Sequence, residues 1–294
     1  MPVIQNEVGL TLDKIVVATD FTPESEKALT FARALAHHFA SKLILAHVID
    51  LSIAVPTEAS FGGPDLDSMR IDGAENMERT LHDLDINGLK AKGETLEAHN
   101  PADAIVKFSE KIDADMLIVG THHRRGLSKL ILGSCAEAII HNASCPVLTI
   151  GPNADAKPLD VAFRSIVFAT GLQHNAVAKA AVALAFAKDS IAKIKICHVL
   201  EGNGRLVDAF EEQSKAEATI SKLIPDASYD WCTPKPSVEF GDVEEQILRV
   251  AQNVDADLIV LGAHRGATWL HRFWDGIVER IIGRANCPVL TICT

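Results

Sequence analysis

Two short segments hold the residue types that could recognise a phosphorylated small molecule. Asp20 directly follows the β-branched run Ile15-Val-Val-Ala-Thr19. Gly120 follows a second apolar run, Met116-Leu-Ile-Val119, and Gly133-Ser134 stands just before a helical stretch holding Ala136, Ala138, Ile139 and Ile140. Glycine lets the backbone approach a phosphate closely. Ser134 adds a hydroxyl, and a helix N-terminus supplies free N–H groups with a partial positive charge. Alone, this pattern is equally a turn followed by a helix cap. Its place after a late strand, with a carboxylate after the first strand, is what favours a site. Arg124, Arg125 and Lys129 lie between the glycines, and serve equally to neutralise phosphates or to solvate a loop.

The elements that must position these residues occur twice. Cys-Pro-Val-Leu-Thr-Ile is found at 145–150 and again at 287–292. Gly120 and Gly262 each lie 25 residues before the cysteine of their copy. Ile166-Val-Phe-Ala-Thr-Gly171 echoes the run that ends in Asp20. The same order in both halves means tandem duplication. We read one domain at 1–153 and a second at 160–294, joined near 151–163, where Gly151, Pro152 and Pro158 break the pattern.

In the first copy the periodicity predicts strands at Lys14–Thr19, Leu43–Val48, Thr95–Ala98, Asp115–Val119 and Val147–Ile150. Helices are expected over Pro23–Ala40, about 68–91, Pro101–Lys111 and Ser134–His141, with a loop at 51–67. Pro23 suits a first helical turn and Thr22 an N-cap. The second copy repeats the strands near 165–169, 193–199, 237–240, 257–261 and 288–292. It is shorter by about nine residues, an expected loss from the loop matching 51–67. Alternating strands and helices imply an α/β fold. Each copy should be an open five-stranded parallel sheet with helices on both faces, and its ligand should sit outside the carboxyl ends of the strands where strand order reverses.

The formal net charge of −11 disfavours a nucleic-acid partner. No apolar run approaches the ~20 residues of a membrane span, and the N-terminus lacks a secretory pattern. A cytoplasmic location is expected, with Cys145, Cys197, Cys287 and Cys293 as buried free thiols in apolar runs.

Asp20 after Val-Ala-Thr, His47-Val48 ending the second strand, Gly-Thr-His with Arg-Arg-Gly-Leu-Ser and Leu-Gly-Ser, and Cys-Pro-Val-Leu together resemble the universal stress protein family, over nearly the full length of both halves. The resemblance implies a tandem pair of Rossmann-like, adenine nucleotide α-hydrolase-like domains. It implies ATP, with Mg2+ as a counter-ion, in the first copy. Thr19, Asp20 and Val48 would hold the adenosine end. Gly120, Gly133, Ser134 and Cys135 would line the phosphate path, with Val119 also at the nucleotide and His123 either obstructing the phosphates or donating a hydrogen bond to them. His123 stands where the family's motif has its middle glycine.

The second copy departs further. Gly171 replaces Asp20, Arg265 falls where His123 does, Asp275 where Gly133 does, and Gly276 where Ser134 does. A carboxylate about 4 Å from a phosphate costs roughly 4 kcal/mol at an effective dielectric near 20, more than one hydrogen bond returns. This copy reads as degenerate and structural, with Arg265 able to pair with Asp275. No metal set is read: His122 and His123 are adjacent, so they point apart, and with His47 they suit a ligand rim. No catalytic triad or elbow motif is present, so weak ATPase activity is the most enzymatic reading. The expected role is stress-linked sensing or regulation through adenine nucleotide. The rival is a nucleotide-independent scaffold with both sites vestigial and an unknown protein partner. Final strands are edge strands, so Val147–Ile150 and Val289–Ile292 should pair antiparallel within one chain, as an internal pseudo-dimer. Further assembly, such as a homodimer of chains, would use the bulky Trp269, Leu270, Phe273, Trp274 and Ile277 cluster, which is otherwise local core or a ligand groove.

His123→Gly restores the family pattern. Calorimetric titration with ATP should show tighter binding if the imidazole crowds the phosphates. A severalfold loss would instead make His123 a donor to the ligand.

Overall fold

Each β-branched run becomes a strand and each amphipathic stretch a helix in the computed structural model, which describes residues 10–53, 65–121, 132–155, 163–173, 175–201, 206–263 and 271–293. The first half runs β1 (Lys14–Thr19), α1 (Pro23–His38), β2 (Lys42–Asp50), α2 (Leu66–Ile86), β3 (Ala91–Ala98), α3 (Pro101–Lys111), β4 (Met116–Gly120), α4 (Ser134–Asn142) and β5 (Val147–Ile150). The second half repeats it as β6 (Ser165–Ala169), α5 (Ala176–Ser190), β7 (Lys193–Leu200), α6 (Leu206–Ser221), β8 (Thr233–Phe240), α7 (Val243–Asn253), β9 (Leu258–Ala263), α8 (His271–Arg284) and β10 (Val289–Cys293). A short 3-10 helix, Asp226–Asp230, precedes β8.

Local chemistry sets the boundaries. Thr22 caps α1 by accepting from the Ser25 N–H, with Pro23 in the first turn. Asn100 does the same for α3 from Asp103, ahead of Pro101. The expected helix over 68–91 starts at Leu66 and stops at Ile86. Gly88 has φ +79 and donates to the Asp85 carbonyl at 2.9 Å, while Leu89 donates to Leu84 at 3.0 Å. Those two bonds are a Schellman stop, which needs the left-handed conformation glycine allows. Residues 89–90 then leave room for β3 to begin at Ala91, four residues before the expected start at Thr95. Between Asp50 and Leu66 lie fifteen residues (51–65), against five (201–205) between Leu200 and Leu206. The second copy is therefore shortened at the expected loop.

All ten strands form one sheet, in the order β3-β2-β1-β4-β5-β10-β9-β6-β7-β8. Each half is parallel throughout, and order reverses between β1 and β4 and between β6 and β9. The halves meet antiparallel through β5 and β10, in the register Val147↔Thr291, Leu148↔Leu290 and Thr149↔Val289. The outer pairs join Val147 to the copy of Thr149 and Thr149 to the copy of Val147, and the central pair joins Leu148 to its own copy. The Leu148–Leu290 pair therefore marks a pseudo-two-fold axis, while the buried Val147 and Val289 flank it.

The two cores also cross the seam. One face of the sheet buries Ile15 and Val17 under α1 and α2 and continues through Phe168 and Phe186 to α5 and α6. The other buries Val16 under α3 and α4 and continues to α7 and α8. On the first face Phe39 meets Phe186 edge-on, with centroids 6.4 Å apart, and His38 Nε2 lies 2.6 Å from Asp189 Oδ2. Residues 151–155 dock onto the second half, where Asn153 donates to the Gly283 carbonyl at 3.1 Å and Asp155 to the Asn286 carbonyl at 3.1 Å. Lys27 of α1 reaches back to the Pro152 carbonyl at 3.2 Å.

Directly opposed residues of an antiparallel pair have Cα atoms about 4.5–5.5 Å apart, within disulfide reach. A Leu148→Cys, Leu290→Cys double variant, oxidised when dilute, should therefore cross-link within one chain. Mass spectrometry showing only cross-links between chains would contradict the internal pairing.

Candidate functional site

β1 ends in a tight turn that both halves keep. Phe21 has φ +60 and its copy Leu172 has φ +56. Bulky residues rarely adopt that region, so the surroundings must hold them there. Part of the restraint is a hydrogen bond from Phe21 N–H to Thr19 Oγ1 at 3.0 Å, repeated from Leu172 N–H to Thr170 Oγ1 at 3.1 Å. His47, three residues before the end of β2, donates from Nδ1 to the Thr19 carbonyl at 2.9 Å, and His198 donates to the Thr170 carbonyl at 2.8 Å. These contacts belong to the fold, since the second half has them too. His47 is thus an architectural residue whose ring lies 4.7 Å from that of Phe21.

What differs is the residue presented by the turn. Asp20 is exposed, and its Oδ1 accepts from the Thr22 N–H at 3.2 Å and the Thr22 hydroxyl at 2.6 Å. It stands at the mouth of a cavity of about 530 Å3 at the carboxyl ends of β1, β2 and β4. This is the place where strand order reverses. Thr19, Val48, Val119, Gly120, Gly133 and Cys135 line the same cavity. The structure thus gathers seven of the nine expected residues. Ser134 is the exposed first residue of α4, next to Gly133. His123 lies outside the described residues, as do Arg124, Arg125 and Lys129. The Thr19 hydroxyl is buried in the turn, 3.2 Å from Ser25 Oγ.

The wall also holds groups that the sequence reading missed: Asp50, Asp72, Asn76, Met69 and Phe21. Asp50 was detectable, because it ends the second strand as Asp20 follows the first. Asp72 and Asn76 come from α2, four apart and therefore on one helix face. One side of the cavity is in this way rich in hydrogen-bond acceptors. The other, at Gly120, Gly133 and Ser134, is backbone and a helix N-terminus. Cys135 adds no nucleophile at neutral pH. Desolvation by the cavity walls pushes its thiol up to about 11, and Asp20 and Asp50 add to the shift. The side chain still reaches solvent, and a protonated thiol is a weak donor.

Among the described residues, the cavity at the matching strand ends of the second half is small, about 30 Å3 among Thr170, Gly171, Gln173, Gly262 and their neighbours. Lys179 helps to fill it. It takes the place of Ala28 and is buried, 6% exposed. Its Cδ and Nζ both lie 2.8 Å from where a Cβ on Gly262 would be. The side chain therefore lies across the glycine that matches Gly120. The degeneracy read from Gly171 and Asp275 thus has a second cause, in α5. Arg265, Trp269 and Leu270 lie outside the described residues, as do the side chains of Phe273, Trp274 and Asp275, so the Arg265–Asp275 pair and most of the bulky cluster do too, while Ile277 of that cluster is core.

Comparison with known proteins agrees with this duplicated geometry. The family model described as "Universal stress protein family" matches residues 11–151 and again 162–292. The chain belongs to the universal stress protein family. A universal stress protein of Methanocaldococcus jannaschii is 36% identical over 141 residues, covering 47% of this chain and 81% of its own length. The crystal structure of a universal stress protein from Archaeoglobus fulgidus superimposes with a TM-score of 0.74 at 18% identity, over 95% of this chain and 98% of that one. That likeness shows the shared two-copy fold. A universal stress protein from Archaeoglobus fulgidus solved in complex with dAMP matches 47% of this chain and 96% of its own, at 23% identity and a TM-score of 0.36.

The two glycines of the motif are held by different constraints. A Cβ on Gly120 would strike the Glu24 carbonyl, which is backbone and cannot yield. A Cβ on Gly133 would meet nothing within 4 Å. Gly120→Ala should lower stability by about 1–3 kcal/mol in urea unfolding, and Gly133→Ala by about 0.5 kcal/mol. Equal losses would show that the packing of Gly120 of β4 against the Glu24 carbonyl of α1 is looser than it stands.

Proposed function

We propose that this universal stress protein binds one adenine nucleotide per chain, in the cavity of the first half, and acts as a nucleotide-linked sensor or regulator. The observation that carries the reading is the contrast between the two equivalent places, about 530 Å3 against about 30 Å3. The larger falls within the range of roughly 300–1,000 Å3 usual for small-molecule sites.

The polarity of the cavity orients the ligand. Asp20, Asp50 and Asp72 suit the donors of a nucleoside, namely the exocyclic amine of adenine and the ribose hydroxyls. The same carboxylates repel phosphate. The phosphates therefore lie toward Gly120, Gly133 and Ser134, where α4 offers unpaired N–H groups and its positive end. Any Mg2+ would enter with the phosphates. No residue of the described wall is an obvious base for attack on the γ-phosphate: His47 Nδ1 is committed to the Thr19 carbonyl and Cys135 stays protonated. Binding and signalling are therefore favoured over turnover.

Calorimetric titration of the full chain with ATP, ADP and AMP tests this. One site per chain is expected, weakened ~10–100-fold by Asp20→Ala, the range for losing a charged hydrogen bond. Two equivalent sites would contradict the closure by Lys179. No binding of any of the three would leave the chain as a nucleotide-independent scaffold.

A further inference from the structure

The pseudo-two-fold axis brings together three metal-ligating side chains that the nucleotide site does not use. Glu137 and His141 lie four residues apart on α4 and so share one helix face. Glu279 lies on α8 in the other half. One ligand atom from each of the three lies within 4.8 Å of the other two, and all three residues are partly buried. We propose that Glu137, His141 and Glu279 form a site for a zinc-type divalent cation that clamps the two halves together.

The site follows from the duplication. Glu279 is the copy of Glu137, 142 residues on, by the same offset that relates Gly120 to Gly262 and Cys145 to Cys287. Pairing β5 with β10 about the Leu148–Leu290 centre puts α4 and α8 on one face of the sheet, where both contribute to one core. Equivalent carboxylates from the two halves then converge across the axis. His141 breaks the symmetry, for its copy is Gly283. The second half thus has no side chain at the position from which the first supplies an imidazole.

The donor set selects the ion. One imidazole nitrogen and two carboxylate oxygens suit Zn2+ and its first-row neighbours better than Mg2+ or Ca2+, which prefer all-oxygen sites. Tetrahedral ligands about 2.0–2.1 Å from zinc are ~3.4 Å from one another. Donor atoms already within 4.8 Å reach that spacing by small side-chain rotations. Partial exposure gives the ion an entry path and leaves a fourth position for water. Bound there, the cation would bridge carboxylates from the two halves across the seam. Because both halves supply ligands, its binding free energy adds to their association.

The test uses full-length protein freed of metal with a chelator and then titrated with Zn2+ alone. Calorimetry should show one ion per chain, and the thermal unfolding midpoint should rise with added Zn2+. Co2+ in its place should give the intense visible bands of a tetrahedral site. His141→Ala and the near-isosteric Glu279→Gln should each weaken binding about tenfold or more and abolish the thermal shift. Both should keep the wild-type circular dichroism. His82→Ala, on exposed α2, should change nothing. No uptake of Zn2+, or equal uptake by wild type and His141→Ala, would overturn the proposal. Loss of binding in Glu279→Gln but not His141→Ala would overturn the three-ligand set.

Discussion

The antiparallel pairing of β5 with β10 is the contact on which the rest of the structure depends. Without it each half would end in a strand whose N–H and C=O groups face no partner. With it, Val147, Leu148, Val289 and Leu290 are all at most 1% exposed. Each is worth about 1.5–3 kcal/mol of apolar burial. The pairing also decides what lies near the axis. Phe39 against Phe186 and His38 against Asp189 meet on one face, and Glu137 with His141 meets Glu279 on the other. Both faces bury one core that runs through both halves, so unfolding one half would strip apolar cover from the other.

The duplication sorts residues by what each copy can abandon. Both copies retain the left-handed residue after the first strand, the histidine that donates to the end of that strand, and a carboxylate that accepts the two N–H groups at its start. Asp115 accepts from Asp13 and Lys14 in the first half, and Asp257 from Arg164 and Ser165 in the second. Those are conditions for folding. Asp20 and Ala28 are retained in one copy only. Their counterparts Gly171 and Lys179 leave the turn and the helix intact and line a much smaller cavity.

Much of this architecture was legible because the relevant residues act locally. Pro23 after Thr22 and Pro101 after Asn100 mark helix starts through their own backbone chemistry, and Val147–Ile150 is an uninterrupted apolar run. Edge strands were legible only in part. β3 opens with Ala91-Lys-Gly-Glu, exposed over most of its length, so no alternation marks it. β8 carries Pro234 and Pro236, which argue against a strand except at a sheet edge, where β8 lies. Seven of the nine expected site residues line one cavity because the repeat and the strand ends place them there. Lys179 was hidden because its effect depends on what its long side chain covers in the fold, here Gly262. Glu137 and His141 have readable helical spacing, but Glu279 joins them only through the register of the seam.

One fold repeated in one chain presents a cavity of about 530 Å3 in the first half and one of about 30 Å3 in the second. The most direct test is a crystal structure of the full chain grown with saturating ATP. The account predicts nucleotide in the first half alone, with adenosine beside Asp20 and Asp50 and phosphates beside Gly120 and Ser134, and Lys179 still lying across Gly262. Nucleotide bound between Gly171 and Gly262, with Lys179 displaced, would contradict it.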